Sequence, residues 1–100
     1  MVKVELIENL EYKFCFMMTE DETTFFGGLT RDYFLIVDEN CPYKEMMLRV
    51  LINKCMNEFI QEINTTDIWN VDLNKFGFSK EEDVYTCSYF DLKLPHDCKC

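Results

Sequence analysis

The chain has 100 residues, 48% of them hydrophobic and 15% aromatic, enough apolar material for one domain with a core of its own. Ten Lys and Arg against 19 Asp and Glu leave a net charge of -9. That balance excludes direct nucleic-acid binding, which draws its affinity from clustered cations, and it disfavours an anionic membrane surface; a basic protein partner is compatible with it, as is plain solubility.

The opening residues Met1 to Glu8 are broken by charge and carry no signal-like apolar stretch. No apolar run approaches the roughly 20 residues that span a bilayer. With six cysteines but no secretory signal, Cys15, Cys55 and Cys87 read as reduced, buried small hydrophobes inside apolar segments. The expectation is a cytoplasmic protein. Three glycines and two prolines point to a few long elements rather than a many-turned sandwich.

In chain order, Val2 to Ile7 alternates as a strand. Tyr12 to Met18 and Thr23 to Leu29 form a hairpin about the polar turn Thr19 to Glu22, and Gly27-Gly28 marks a bulge or a close backbone approach. Asp32 to Asp38 is apolar on both faces, which predicts a central strand. A long helix is predicted from Tyr43 to Ile63, with Tyr43, Met46, Met47, Val50, Leu51, Cys55, Phe59 and Ile63 on one stripe. Leu48, Ile52, Met56 and Ile60 form a second stripe beside it. Thr66 to Val71 reads as a fifth strand, Asp72 to Phe76 as a helical turn stopped by Gly77, and Ser79 to Asp83 as a polar turn. Val84 to Leu94 is the last strand. Residues 1–94 are one domain and 95–100 a tail. The fold class is α/β (α+β): a mainly antiparallel mixed sheet of about six strands with one long helix across it.

The strand-to-helix junction at Val37-Asp38-Glu39-Asn40-Cys41-Pro42-Tyr43 is the candidate site, because free N–H groups and the helix dipole at such a place favour an anion. It lacks glycine and carries Asp38, Glu39 and Glu45.

Three segments, in order, resemble the Gcn5-related N-acetyltransferase (GNAT) superfamily, as a small and degenerate member. Phe26-Gly-Gly-Leu29 is similar to that family's strand ending near GGL. Leu48-Arg-Val-Leu51-Ile52 resembles its long-helix pattern. Leu73-Asn-Lys-Phe-Gly-Phe78 is similar to its LYEKLGF segment. The resemblance spans about Tyr12 to Leu92. It implies a cleft between the fourth and fifth strands, acetyl-CoA as cofactor, and transfer of acetyl to a small-molecule or protein amine. It further implies that Leu35, Ile36 and Val37 line the pantetheine path and that Asn40, Tyr43, Lys44 and Met46 face the pyrophosphate.

Two positions depart from the family pattern. The glycine-rich pyrophosphate loop is replaced by Asn40-Cys-Pro-Tyr-Lys-Glu-Met46-Met47, in which Pro42 lacks an N–H and Glu45 adds negative charge. Leu73 stands where the family often has an acid tyrosine. Asp38, Glu39 and Tyr85 are the remaining catalytic candidates, although Asp38 and Glu39 also suit a helix N-terminus on electrostatic grounds alone. With the cofactor loop degenerate, a non-catalytic acidic protein-binding module on the same fold is the alternative. The turns Glu20-Asp21-Glu22 and Glu81-Glu82-Asp83 are its contact candidates.

No metal site is expected. His96, Cys98 and Cys100 offer imidazole and thiolates, but alternate spacing on one terminal segment closes a tetrahedral site poorly.

Overall fold

The structure is a computed structural model that describes residues 2–95. Among the described residues, seven strands form two sheets rather than the single six-stranded sheet expected. The first is antiparallel, β1 (Val2–Ile7), β2 (Tyr12–Glu20), β3 (Thr23–Thr30) and β4 (Leu35–Val37), in that spatial order. The second is β5 (Glu62–Thr65), β6 (Ser79–Glu81) and β7 (Val84–Ser88), with β7 in the middle. The helix α1 (Lys44–Asn57) connects them. Among the described residues a single backbone bridge, parallel, joins the sheets: Phe34 to Asn64.

The first strand lies where alternation placed it and the hairpin about Thr19 to Glu22 forms as expected, with β2 and β3 extending a residue or two further. Register pairs Gly27 with Phe16 and Val37, and Gly28 with Cys15 and Ile36. Close approach is the reason for both glycines. A Cβ on Gly27 would stand 2.7 Å from Met47 Cγ of α1, and one on Gly28 would stand 2.7 Å from the Phe14 carbonyl. The ladder irregularity falls on the partner strand, between Tyr12 and Phe14.

Strand β4 is shorter than expected, and it ends its sheet instead of occupying the centre of one. Its apolarity on both faces has another origin. Leu35 and Val37 lie on the face under α1, and Ile36 lies on the opposite face beside Gly28.

The helix ends six residues before the predicted Ile63. Its stop is a Schellman arrangement, in which Ile60 N–H donates to the Cys55 carbonyl at 3.1 Å and Phe59 N–H to the Met56 carbonyl at 3.2 Å. The left-handed residue at its hinge is Phe59, with φ of 55°. Ile63, read as helical, sits fully buried on β5. Met47, Leu48, Leu51, Ile52 and Cys55 form the buried face of α1, so the two predicted stripes merge into one, and Met46 turns outward.

The predicted fifth strand at Thr66 to Val71 is irregular chain instead; β5 precedes it. Asn70 adopts φ of 56°, which breaks any strand there, and Trp69 folds back onto Thr65. The 3-10 turn Leu73–Phe76 forms as expected, with Asp72 accepting from the Asn74 N–H and Gly77 left-handed at φ of 100°. Ser79 to Glu81, read as a turn, is a short strand paired with β7. The last strand stops at Ser88, where a 3-10 turn, Tyr89–Asp91, begins. The core runs between α1 and the sheets, centred on Met18, Leu29, Leu35, Leu51, Ile63, Trp69 and Phe78.

Candidate functional site

The site begins where β4 and β5 stop pairing. Thr30 N–H donates to the Phe34 carbonyl and Asp38 N–H to the Phe26 carbonyl, both at 2.8 Å. Backbone groups alternate direction along a strand, so residues 34, 36 and 38 face β3 while Leu35 and Val37 face β5. Asn64 N–H meets the Tyr33 carbonyl at 2.8 Å and opens a parallel ladder. Its next rung would join Thr66 to Leu35 and Val37.

That rung is occupied otherwise. The Leu35 carbonyl accepts from the Thr65 hydroxyl at 2.8 Å, and the Thr66 carbonyl accepts from the Ile68 N–H at 2.8 Å. Val37 therefore points its backbone groups into a seam where β5 offers no partner. Behind that contact lies the buried Trp69, which donates its indole N–H to Thr65 Oγ1 at 2.7 Å.

The junction after β4 is a turn tied by Asp38. Its Oδ1 accepts from the Asn40 N–H at 3.1 Å and its carbonyl from the Cys41 N–H at 3.0 Å. Cys41 is buried, which pushes its thiol pKa up. Tyr43 occupies the N-cap position with no side-chain cap bond. Its hydroxyl donates instead to Glu20 Oε2, a contact that raises the tyrosine pKa and ties the β2–β3 hairpin to the start of α1. Glu45 is held by Arg49, whose Nε and Nη2 both reach one carboxylate oxygen at 3.3 and 3.2 Å.

The other candidates disperse. Asp38 is half-buried, and Glu39 and Asn40 are exposed. The Ile36 backbone belongs to the β3 ladder, so Leu35 and Val37 are the β4 residues whose backbone faces the seam. Lys44 opens the helix, and Met46 lies out on its first turn. Tyr85 stands on β7 opposite Thr65, packed against the core with the Lys80 ammonium 6.0 Å from its ring. The His96, Cys98 and Cys100 cluster lies outside the described residues. Among the described residues, no group of three or more His, Cys, Asp or Glu is placed to hold a metal ion, and no helix is long and apolar enough to cross a membrane. Cys15, Cys41, Cys55 and Cys87 are all free and buried.

Topology gathers acid at one end. β4 and β5 run parallel toward the β2–β3 and β6–β7 hairpin tips, so Glu20-Asp21-Glu22, Glu81-Glu82-Asp83 and Asp38-Glu39 all lie at the end where α1 starts. At the other end, Lys13, Arg31 and Lys54 line one cavity with Glu8 and Glu58.

Thr65 had no legible functional signal, since a buried threonine and a solvated one read alike in a sequence. The same holds for an exposed aromatic group. Phe59 and Tyr89 have ring centroids 5.7 Å apart, and Phe90 stands edge-on to Tyr89 at 5.6 Å. Compared with models of known families, with curated proteins and with solved structures, the chain matches none.

Proposed function

We propose that the chain is an acetyltransferase-related domain that binds acetyl-CoA, with the pantetheine arm along the β4–β5 seam and the pyrophosphate toward Asn40, Tyr43, Lys44 and Met46. The observation carrying this reading is the Val37 backbone, left unpaired by β5 where the parallel strands part. Pantetheine is an extended chain bearing amides, and such a chain bonds to a free strand edge as an added strand does. The pairing of Arg49 with Glu45 offsets part of the negative charge at the first turn of α1.

The reaction is acetyl transfer to an amine. The neutral amine attacks the thioester carbonyl, a C–N bond forms, the C–S bond breaks, and the departing thiolate takes up a proton. Asp38 and Glu39 are the carboxylates nearest in sequence to the seam for removing the amine proton. Tyr85 is the candidate for protonating sulfur. The acidic end concentrates a cationic amine near the opening.

A second reading is favoured by that same convergence of acidic turns: a non-catalytic module that captures a basic protein with the Glu20 to Glu22 and Glu81 to Asp83 tips. Thermal melting with and without millimolar acetyl-CoA separates the two. Ligand at 100 times its dissociation constant adds about 2.7 kcal/mol, a shift of several degrees at this size. An unchanged melting temperature rejects the cofactor reading. Reversing Glu81, Glu82 and Asp83 to lysine without loss of binding to a basic partner rejects the module.

A further inference from the structure

The free edge of β1 is complementary to itself. Its exposed pattern follows from the hydrogen-bond directions of the first sheet. Phe26, Gly28 and Thr30 spend their backbone groups on β4, so Phe25, Gly27 and Leu29 spend theirs on β2. These pair with Met18, Phe16 and Phe14. Cys15, Met17 and Thr19 are thereby left to bond Ile7, Glu5 and Lys3. The N–H and C=O groups of Val2, Val4 and Leu6 consequently point away from the sheet, with no strand beyond them among the described residues.

An antiparallel second copy of the same strand, related by a two-fold axis at Val4, meets every one of those groups. Val4 exchanges two hydrogen bonds with Val4 of the second copy, and Val2 and Leu6 pair crosswise. In the same register Lys3 falls directly opposite Glu5 of the second copy, twice. These are the non-hydrogen-bonded positions of the ladder, where facing side chains come closest. Axes at Lys3 or Glu5 instead set like charges against each other. On the opposite face Leu6, 55% exposed here, gains Val2 of the second copy as a neighbour. Within one chain Lys3 and Glu5 already meet, Nζ to Oε1 at 2.9 Å, with both side chains mostly in solvent and free to re-pair.

We infer that β1 is a homodimerisation edge, joining two copies of this chain into a continuous eight-stranded antiparallel sheet through the Val4-centred register. The inference is independent of what the β4–β5 seam holds. A charged edge strand commonly serves to keep such edges apart, and here the order of the charges does the reverse. The surface is small, so the dimer is a weak one and the ion pairs act mainly to choose the register.

Sedimentation equilibrium at physiological salt, where the repulsion between two chains of net charge -9 is screened beyond about 8 Å, tests it from about 10 μM to about 1 mM. The wild-type mass is expected to double from 12.0 kDa across that range. Lys3→Glu and Glu5→Lys should each stay monomeric. Mixed in equal amounts they should form a heterodimer, because each then faces the opposite charge, and the double variant K3E/E5K should dimerise again. Amide exchange gives a second readout: Val2, Val4 and Leu6 should gain protection with concentration in the wild type and in neither single variant. A wild type that remains monomeric overturns the proposal, as does a dimer untouched by the single reversals or a mixture that fails to associate.

Discussion

The Trp69 indole N–H donates to the Thr65 hydroxyl at 2.7 Å, and that hydroxyl donates onward to the Leu35 carbonyl at 2.8 Å. Thr65 is fully buried, so neither neighbour can turn to water if the hydroxyl is lost. Thr65→Val keeps the shape and strands a donor and an acceptor together, which should cost about 1–3 kcal/mol. Thr65→Ser retains the relay and gives up one methyl group, about 1 kcal/mol. Urea midpoints at unchanged slope measure both. A valine variant as stable as the serine variant would show that the relay contributes nothing.

Phe59 holds a left-handed conformation that suits glycine, at 66% exposure, with Tyr89 as its aromatic neighbour. The backbone strain is about 1–2 kcal/mol, against about 0.5 kcal/mol for a largely solvated ring contact. Strain wins in that comparison. Phe59→Gly should raise the denaturation midpoint by about 0.5–1 kcal/mol of stability. A drop would mean that the Phe59–Tyr89 contact outweighs the cost of the turn.

The glycines differ in what surrounds them. A Cβ at Gly77 would lie 1.9 Å from the Asp91 carbonyl oxygen, on a backbone with φ of 100°. Gly77→Ala should yield no folded protein. Gly27→Ala meets the flexible Met47 side chain at 2.7 Å and should fold with a loss of about 1–3 kcal/mol. Circular dichroism melts of the two variants check the order.

Burial pushes the Cys55 thiol up to about 12 and the Cys87 thiol up to about 11. In the unfolded chain both ionise near pH 8.5. Above that pH the unfolded state binds fewer protons than the folded one, so stability falls as pH rises, and it is fully present below it. Each thiol contributes a slope of about 1.4 kcal/mol per pH unit until its folded-state value is reached. Cys55→Ala should flatten the fall between pH 9 and 11. Midpoints measured across that range decide it, and an equal slope in the variant would show that Cys55 ionises as readily folded as unfolded.

The sequence disclosed those parts of the fold that repeat locally. The strand β1 was legible because Val2, Val4 and Leu6 alternate with Lys3 and Glu5, and β2 and β3 were legible as two apolar, aromatic-rich runs about a short polar turn. The end of α1 was not, because Phe59, Ile60 and Ile63 continue the helical period beyond a stop made without glycine or proline. β6 has all three residues exposed and leaves no pattern to read. At the site, the acidic junction after β4 was plain, and so was its lack of glycine. The seam was not resolved, since it depends on a hydroxyl meeting a carbonyl 30 residues away, and long-range pairing imprints no period on a chain.

The separation of acidic turns from the Lys13, Arg31 and Lys54 cavity also changes what the net charge of -9 means. At physiological salt a charge is felt over about 8 Å, whereas the molecule extends 37 Å along its longest axis. An approaching molecule therefore never experiences the whole charge. It meets either the clustered carboxylates of the hairpin tips or the mixed charges that line the Lys13, Arg31 and Lys54 cavity, depending on the end it reaches first. The overall acidity governs how these molecules keep apart from each other in dilute buffer; what each of them attracts is decided one end at a time.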